Sequence, residues 1–391
     1  MKNSLKNKKL RILVLGYIVR GPMGGMTWHH LQYFLGLHQM GYDVYFLEDS
    51  GDTIYSCYDP DRNVTDQNPT YGLNYAKQVF EQFGLEDRWG YYDHHQQQWH
   101  GPIAEKALQL ISDTEVLLNL SCSNTLRSWL QDVPIRVLID TDPLFTQIRN
   151  LADNARLDFC KQHNVFFTYG ENFKQEGCLV PDDGLSWQPT RQPVVLNAWP
   201  VTNGNEAAPF TTVMKWESYP GKTYNGHYYG MKAESFNQYL HLPRHTKSIM
   251  ELAVSDSSAP RTRLKENGWQ LSYPQKISGD PWKYQDYIQQ SKAEFSIAKH
   301  GYVEARTGWF SERSAGYLAS GRPVIVQDTG FSDWLKADLG LIPFSGIDEA
   351  LLAIEEVNNN YSRHCQGARE LAETYFASDK VLTELIEKSI A

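Results

Sequence analysis

Between residues 293 and 330 the chain reads strand, loop, helix, Gly-x-Pro, strand, an order that few folds accommodate. Residues 293–299 (AEFSIAK) form a short apolar strand. The turn Thr307-Gly308-Trp309-Phe310-Ser311 leads into a helix, Gly321-Arg322-Pro323 ends it, and residues 324–327 (VIVQ) form the next buried strand. Strands joined this way lie parallel, in a sheet covered on both faces. At the carboxyl edge of that sheet the helix start presents free N–H groups and a positive dipole end, where a phosphate would sit.

The same alternation runs through the chain. Apolar strands are expected at 11–19, 42–47, 115–120, 135–139 and 165–169, with a helix over 27–40 capped by Gly41. From 185 to 210 the pattern dissolves into Pro189, Pro193, Pro200, Asn203, Gly204, Asn205 and Pro209, the best place for an interdomain hinge. Further strands follow at 211–216, 248–254, 269–273, 293–299, 324–327 and 341–344. The tail, 379–390, is an amphipathic helix with Val381, Leu382, Leu385 and Ile386 on one face. The expected fold class is therefore α/β, with two Rossmann-like doubly wound parallel-sheet domains facing across a cleft.

Lys and Arg number 37 against 46 Asp and Glu, a net charge of −9 that argues against nucleic acid or an anionic membrane as partner. The basic residues Lys2, Lys6, Lys8, Lys9 and Arg11 read as a solvated leader. The apolar run 12–19 is too short to span a bilayer, so no stable membrane insertion is expected. Five scattered cysteines without a C-x-x-C fit a reducing, cytoplasmic setting and neither a disulfide framework nor a zinc site.

Gly21-Pro22-Met23-Gly24-Gly25-Met26 joins the first strand to the first helix, where Gly24 and Gly25 permit close approach of a phosphate or sugar and Thr27 can cap the helix. The spacing is not G-x-G-x-x-G. Glu48 and Asp49 nevertheless stand where a nicotinamide-binding fold reads its ribose, so an oxidoreductase is an alternative. His29 and His30 follow in the first helical turn, with a pKa range suited to deprotonating an acceptor hydroxyl. Asp140 or Asp142, at the end of a later strand, would orient the base. Asp140-x-Asp142 also mimics a D-x-D metal site, a pattern common by chance; no metal is assigned.

In the second half the helix start offers the N–H groups of Trp309, Phe310, Ser311 and Glu312 to a diphosphate, with Ser311 as cap and Arg313 adding charge. Asp328, with Thr329 and Gly330, stands at the next strand end to read sugar hydroxyls. Residues 220–232 form a long Gly- and Tyr-rich loop carrying Lys222 and Lys232, and 90–101 a polar-aromatic loop whose His94, His95 and His100 make no complete ligand set.

Gly24-Gly25 before a His-bearing helix, GYDVYFLE at 41–48, the hinge, Gly321-Arg322-Pro323-Val324 and ARELAETYF at 368–376 together resemble glycosyltransferases of the two-Rossmann GT-B fold. The resemblance implies an acceptor-binding domain at 1–200, a nucleotide-sugar donor domain at 206–372 and a closing segment, 373–391, whose helix packs back on the first domain. It implies a UDP-, dTDP- or GDP-linked sugar as co-substrate and a small-molecule, glycan or peptide acceptor. No cofactor or metal is required, and a cation such as Lys232 contacts phosphate. Gly308-Trp309-Phe310-Ser311 resembles the G-W-N-S of inverting members, departing at Phe310 and by two extra residues before Gly321. Glu304 and Glu312, with seven residues between them, match the Glu-x7-Glu spacing of retaining members but sit four residues out of register, since Gly316 stands five before Gly321. Their family roles therefore do not transfer. Two further readings on the same fold are a sugar-nucleotide epimerase and a catalytically silent nucleotide-sugar-binding subunit.

Overall fold

The computed structural model describes residues 9–391. Lys2, Lys6 and Lys8 of the basic leader lie outside the described residues; Arg11 opens the first strand and pairs with Asp43 at 2.8 Å and Asp113 at 3.3 Å.

Two sheets organise the chain. The first orders its strands Trp187–Pro189, Val165–Thr168, Ile135–Asp140, Val116–Leu120, Arg11–Leu15, Asp43–Asp49, Trp89–Asp93 and Gln98–His100. All neighbours are parallel except the Gln98–His100 edge strand. The second, wholly parallel, runs Gln270–Ser272, Met250–Ser255, Phe210–Lys215, Ala293–Ser296, Val324–Gln327 and Leu341–Phe344. Every residue of Val116–Leu120 and of Val324–Gln327 is buried, because helices cover both faces of each sheet.

The first helix, Gly24–Gln39, is buried on nearly every side. Beneath it lies the first sheet; against it pack the helices Pro281–Gln290 and Ser378–Ile390. A methyl group at Gly36 would lie 2.5 Å from the Leu382 side chain, so the last helix does sit on the first half of the molecule. The helix begins at Gly24 rather than at 27. Thr27 therefore caps nothing, and its hydroxyl bonds that of Tyr75 at 2.9 Å.

The two polar segments at 90–101 and 220–232 differ from the loops expected of them. Trp89–Asp93 and Gln98–His100 are paired strands, and Lys222–Tyr224 pairs with His227–Tyr229 before a helix opens at Lys232. Buried Trp89, Tyr91 and Tyr92 hold the first in place; its histidines do not converge, and no group of three or more His, Cys, Asp or Glu side chains suited to a metal occurs among the described residues. All five cysteines are free thiols. No helix among the described residues is long and apolar enough to cross a membrane.

The proline-rich segment between the sheets is packed rather than loose. Val194 exchanges hydrogen bonds with Phe376 and Ser378, at 2.7 and 2.9 Å, and Trp199 is 2% exposed, its ring 5.0 Å from that of Trp28. Gly316 brings the helix of the second half so close that a methyl group there would lie 3.3 Å from the Trp199 ring. Trp199→Ala is expected to cost about 3–5 kcal/mol of unfolding free energy in a urea titration. A loss below about 1 kcal/mol would show the segment to be a free hinge.

Candidate active site

The loop after the first strand is fixed from within. Ile18, Val19 and Arg20 donate their amides to the Glu48 carboxylate at 2.6, 2.7 and 2.8 Å, and the Arg20 guanidinium adds a 3.1 Å contact. Burial raises the Glu48 pKa while Arg20 and these amides oppose the rise. Glu48 is thus taken up by the chain's own amides, and Asp49 is bound by Arg127 through two 2.8 Å contacts, so neither carboxylate is free to read a ribose. The nicotinamide reading falls on this geometry. Gly24 and Gly25 lie against the second half: a methyl group at Gly24 would lie 2.4 Å from the Asp280 carbonyl oxygen, and one at Gly25, which also lines the cleft, 3.1 Å from the Tyr284 ring.

The two histidines have different surroundings. His30 is fully buried, donates from Nδ1 to the Met26 carbonyl at 2.9 Å, and has no partner for Nε2 among the described residues. Burial holds it neutral, with a pKa well below the usual range. His29 lines the cleft between the two halves, an open space of about 350 Å³ that it shares with Gly25, Trp28, Gln192, Trp199 and Glu312. Its Nε2 lies 3.1 Å from Ser121 Oγ, which accepts from Thr141 Oγ1 at 2.9 Å. Burial lowers the His29 pKa and the charge of Glu312 opposes the drop.

Across the cleft, the helix Glu312–Ala319 starts as expected, with Ser311 Oγ accepting from the Arg313 amide at 3.2 Å. Gln192, from the proline-rich segment, donates to the carbonyls of Phe310 and Ser311 at 3.3 and 3.1 Å and pins this start to the first half. On its other side lies an open space of about 240 Å³, lined by Ser296, Trp309, Ser311, Ser314, Gln327 and Thr329. That space lies at the carboxyl ends of Ala293–Ser296 and Val324–Gln327. Lys232 forms no ion pair among the described residues. Burial, then the nearby charges of Arg313 and Lys299, push its pKa down to about 7, against the opposing pull of Glu312 and Glu294.

No protein-family model and no curated protein matches the chain. Solved structures do. An alpha-glucosyltransferase in complex with UDP and a 13-mer DNA is 11% identical, covers 98% of this chain and 100% of its own, and aligns with a TM-score of 0.61. A sucrose-phosphate synthase from Thermosynechococcus elongatus is 11% identical over 97% of this chain and 98% of its own, with a TM-score of 0.55. Anabaena HepE, in complex with UDP and glucose, is 10% identical over 97% and 99%, with a TM-score of 0.54. The fold is GT-B.

Several residues singled out by the sequence have other partners in this GT-B fold. Asp142 orients neither histidine. It accepts from Lys299 Nζ at 2.7 Å, Tyr302 at 2.5 Å, Arg149 at 3.1 Å and Tyr219. Burial alone would raise its pKa, but Lys299 and Arg149 outweigh burial and hold it below the usual carboxylate range. Asp140 is enclosed by Thr146, Gln147 and Thr168. Arg313 is not a free phosphate ligand: it binds Glu294 and Ser296 at 2.5 Å and the Val213 carbonyl at 2.9 Å, tying strands beneath the helix. Phe310 is core, stacked on Phe376 at 5.3 Å. Trp309 packs on Tyr302 at 4.7 Å. Asp328 caps its own turn, accepting from the Gly330 amide at 2.8 Å and Ser332 Oγ at 2.6 Å, and Thr329 donates to the Trp309 carbonyl at 2.5 Å. Of the glutamates, Glu304 faces His300 at 3.7 Å, outside the cleft that Glu312 lines.

Four residues were not singled out by the sequence. Ser121, Gln192, Tyr219 and Asn172 carry no motif and meet their partners only through long-range packing. Asn172 donates to the carbonyls of Arg306 and Gly330 at 3.2 and 2.9 Å, and its amide to Thr307 at 3.2 Å. It thereby holds the 306–308 turn from the opposite half. Gly308 has φ +73° and a methyl group there would lie 2.8 Å from the Asn172 backbone nitrogen. Gly308→Ala is expected to destabilise the protein by about 1–3 kcal/mol from strain and overlap together, measured by chemical unfolding.

Proposed function

We propose that the protein transfers a sugar from a nucleoside-diphosphate donor, held by the second half, to an acceptor hydroxyl or amine beside His29. One observation carries this reading: the Glu312–Ala319 helix start and His29 face one cleft, and Lys232, which forms no ion pair among the described residues, feels the charges of Glu312 and Arg313 at that helix start. The first-turn amides and the cation suit a diphosphate, which takes negative charge as the glycosidic bond breaks. Uridine is the preferred base, because two of the structures named above, the alpha-glucosyltransferase and HepE, were solved with UDP. Domain packing would exclude water that otherwise hydrolyses the donor.

The resident groups supply this chemistry without a metal: helix amides and Lys232 for the leaving group, His29 for the acceptor proton. His29 is the better of the two candidate bases because His30 is sealed in the core. A neutral imidazole accepts a proton readily, and the Glu312 charge favours the imidazolium that results. The chain's net charge of −9 favours a small molecule, glycan or peptide acceptor over nucleic acid, although one alpha-glucosyltransferase neighbour was solved on DNA. A cytoplasmic setting agrees with five free thiols.

Calorimetric titration with UDP, GDP and dTDP tests the donor reading, with UDP expected to bind most tightly; binding of none would end it. His29→Ala is expected to lower transfer about 100- to 10,000-fold while leaving UDP affinity intact. Equal loss of both would assign His29 a structural role.

Lys232 gives a pH dependence of definite sign. A diphosphate binds its charged form, which predominates below about pH 7. UDP affinity should therefore weaken as pH rises from 7 to 9, by up to about tenfold per pH unit. Lys232→Met should bind UDP about 10- to 100-fold more weakly, with that pH dependence gone.

A further inference from the structure

The Asp142 cluster joins the two halves of the molecule at one carboxylate. Asp142 and Arg149 belong to the first half, and Lys299, Tyr302 and Tyr219 to the second. Tyr219 begins a strap, residues 219–231, that holds the Lys222–Tyr224 and His227–Tyr229 hairpin. The Tyr219 ring meets Phe145 edge-on at 5.4 Å, lies under the Arg149 guanidinium at 5.4 Å and under the Lys299 ammonium at 4.7 Å. The far end of the strap is fixed as firmly. Gly230 and Met231 accept at their carbonyls from the amides of Gly301 and His300, at 3.1 and 3.2 Å. Gly301 is where the halves touch: a methyl group there would lie 2.7 Å from the Phe145 ring and 3.0 Å from both Leu144 and Tyr229. The residue after the strap is Lys232.

We propose that Asp142 is a positioning residue that clamps the 219–231 strap across the two halves and thereby positions Lys232, the residue that follows the strap, for a donor phosphate. The second half of that statement rests on the donor reading above; the clamp itself does not. Among the described residues, Asp142 is the one acceptor that receives both a strap residue, Tyr219, and residues following the Ala293–Ser296 strand, Lys299 and Tyr302. Removing its charge frees Tyr219 and leaves Lys299 among three aromatic rings with no carboxylate. The Tyr219 end of the strap would then lift, leaving the Gly230–Met231 bonds to hold the far end alone and admitting water to Lys232 beside it. The charges that now face Lys232 are Arg313 and Lys299, which disfavour its ammonium, and Glu312 and Glu294, which favour it.

Two readouts on full-length Asp142→Asn decide the matter, with Tyr219→Phe as the milder variant should the first not fold. In the ligand-free protein, amide hydrogen exchange over 219–231 is expected to quicken at least about tenfold, the ratio corresponding to about 1.4 kcal/mol of lost closure. UDP affinity from pH 6 to 9 is expected to be weaker at pH 6 than in the unaltered protein and flat across the range, because a hydrated Lys232 stays charged throughout. Unchanged exchange in a folded variant overturns the clamp. Faster exchange with the original pH profile overturns the link to Lys232. If the unaltered protein binds no nucleoside diphosphate, the donor reading fails, the Lys232 link fails with it, and exchange alone decides the clamp.

Discussion

The geometry of the cleft depends on how closely the first helix lies against the second half of the chain. Gly24 sits beneath the Asp280 carbonyl with no room for a side chain, and Trp28 donates its indole N–H to the Pro281 carbonyl at 2.7 Å. With Trp199 wedged between Trp28 and Gly316, these contacts fix the distance between two helix starts, one bearing His29 and the other Glu312. A large side chain held between an indole ring and a glycine forms a joint that closes only one way, because interiors of native density resist small changes of volume. His29 and the Glu312 helix therefore face each other as a consequence of packing, before any ligand enters.

Buried charge supports the same arrangement from below. Arg313 and Glu294 lie inside the second half, with the guanidinium also bonded to Ser296 and the Val213 carbonyl. Glu48 is enclosed with Arg20 and three amides in the first. Such pairs add little net stability against an apolar replacement, but losing one partner is costly because it strands the other. Their effect is orientation: the first holds the strands under the Glu312 helix in register, the second shapes the loop that leads to the His29 helix.

How much of this was legible in the sequence follows from the range of the contacts involved. The strands 324–327 and 341–344 and the Ser311 cap were read correctly because local apolar runs and cap chemistry determine them. A glycine in the sequence shows only that something approaches closely: at Gly24 and Gly25 a neighbouring helix does, and Gly25 lines the cleft as well. The Trp89–Asp93 strand was hidden because its aromatics are flanked by polar residues, and its burial comes from the sheet edge it joins. Asp142 was identified as important and assigned the wrong partner. Sequence places it at a strand end, but its ligands Tyr219 and Lys299 lie 77 and 157 residues away.

The electrostatics of the cleft bear on the order of events in the proposed sugar transfer. His29 is neutral and backed by two hydroxyls, Ser121 and Thr141, rather than a carboxylate, so an imidazolium there has little built-in support. Of the charges acting on it, Glu312 is the one that favours protonation, and Glu312 is exposed, where water weakens its pull. A diphosphate at the adjoining helix start would bring further negative charge and displace that water, raising the basicity of His29 only once the donor is present. The same diphosphate would keep Lys232 protonated beside it. For the proposed reaction, donor before acceptor is thus the order in which each proton would find its most favourable site, and an acceptor bound alone would stay unactivated.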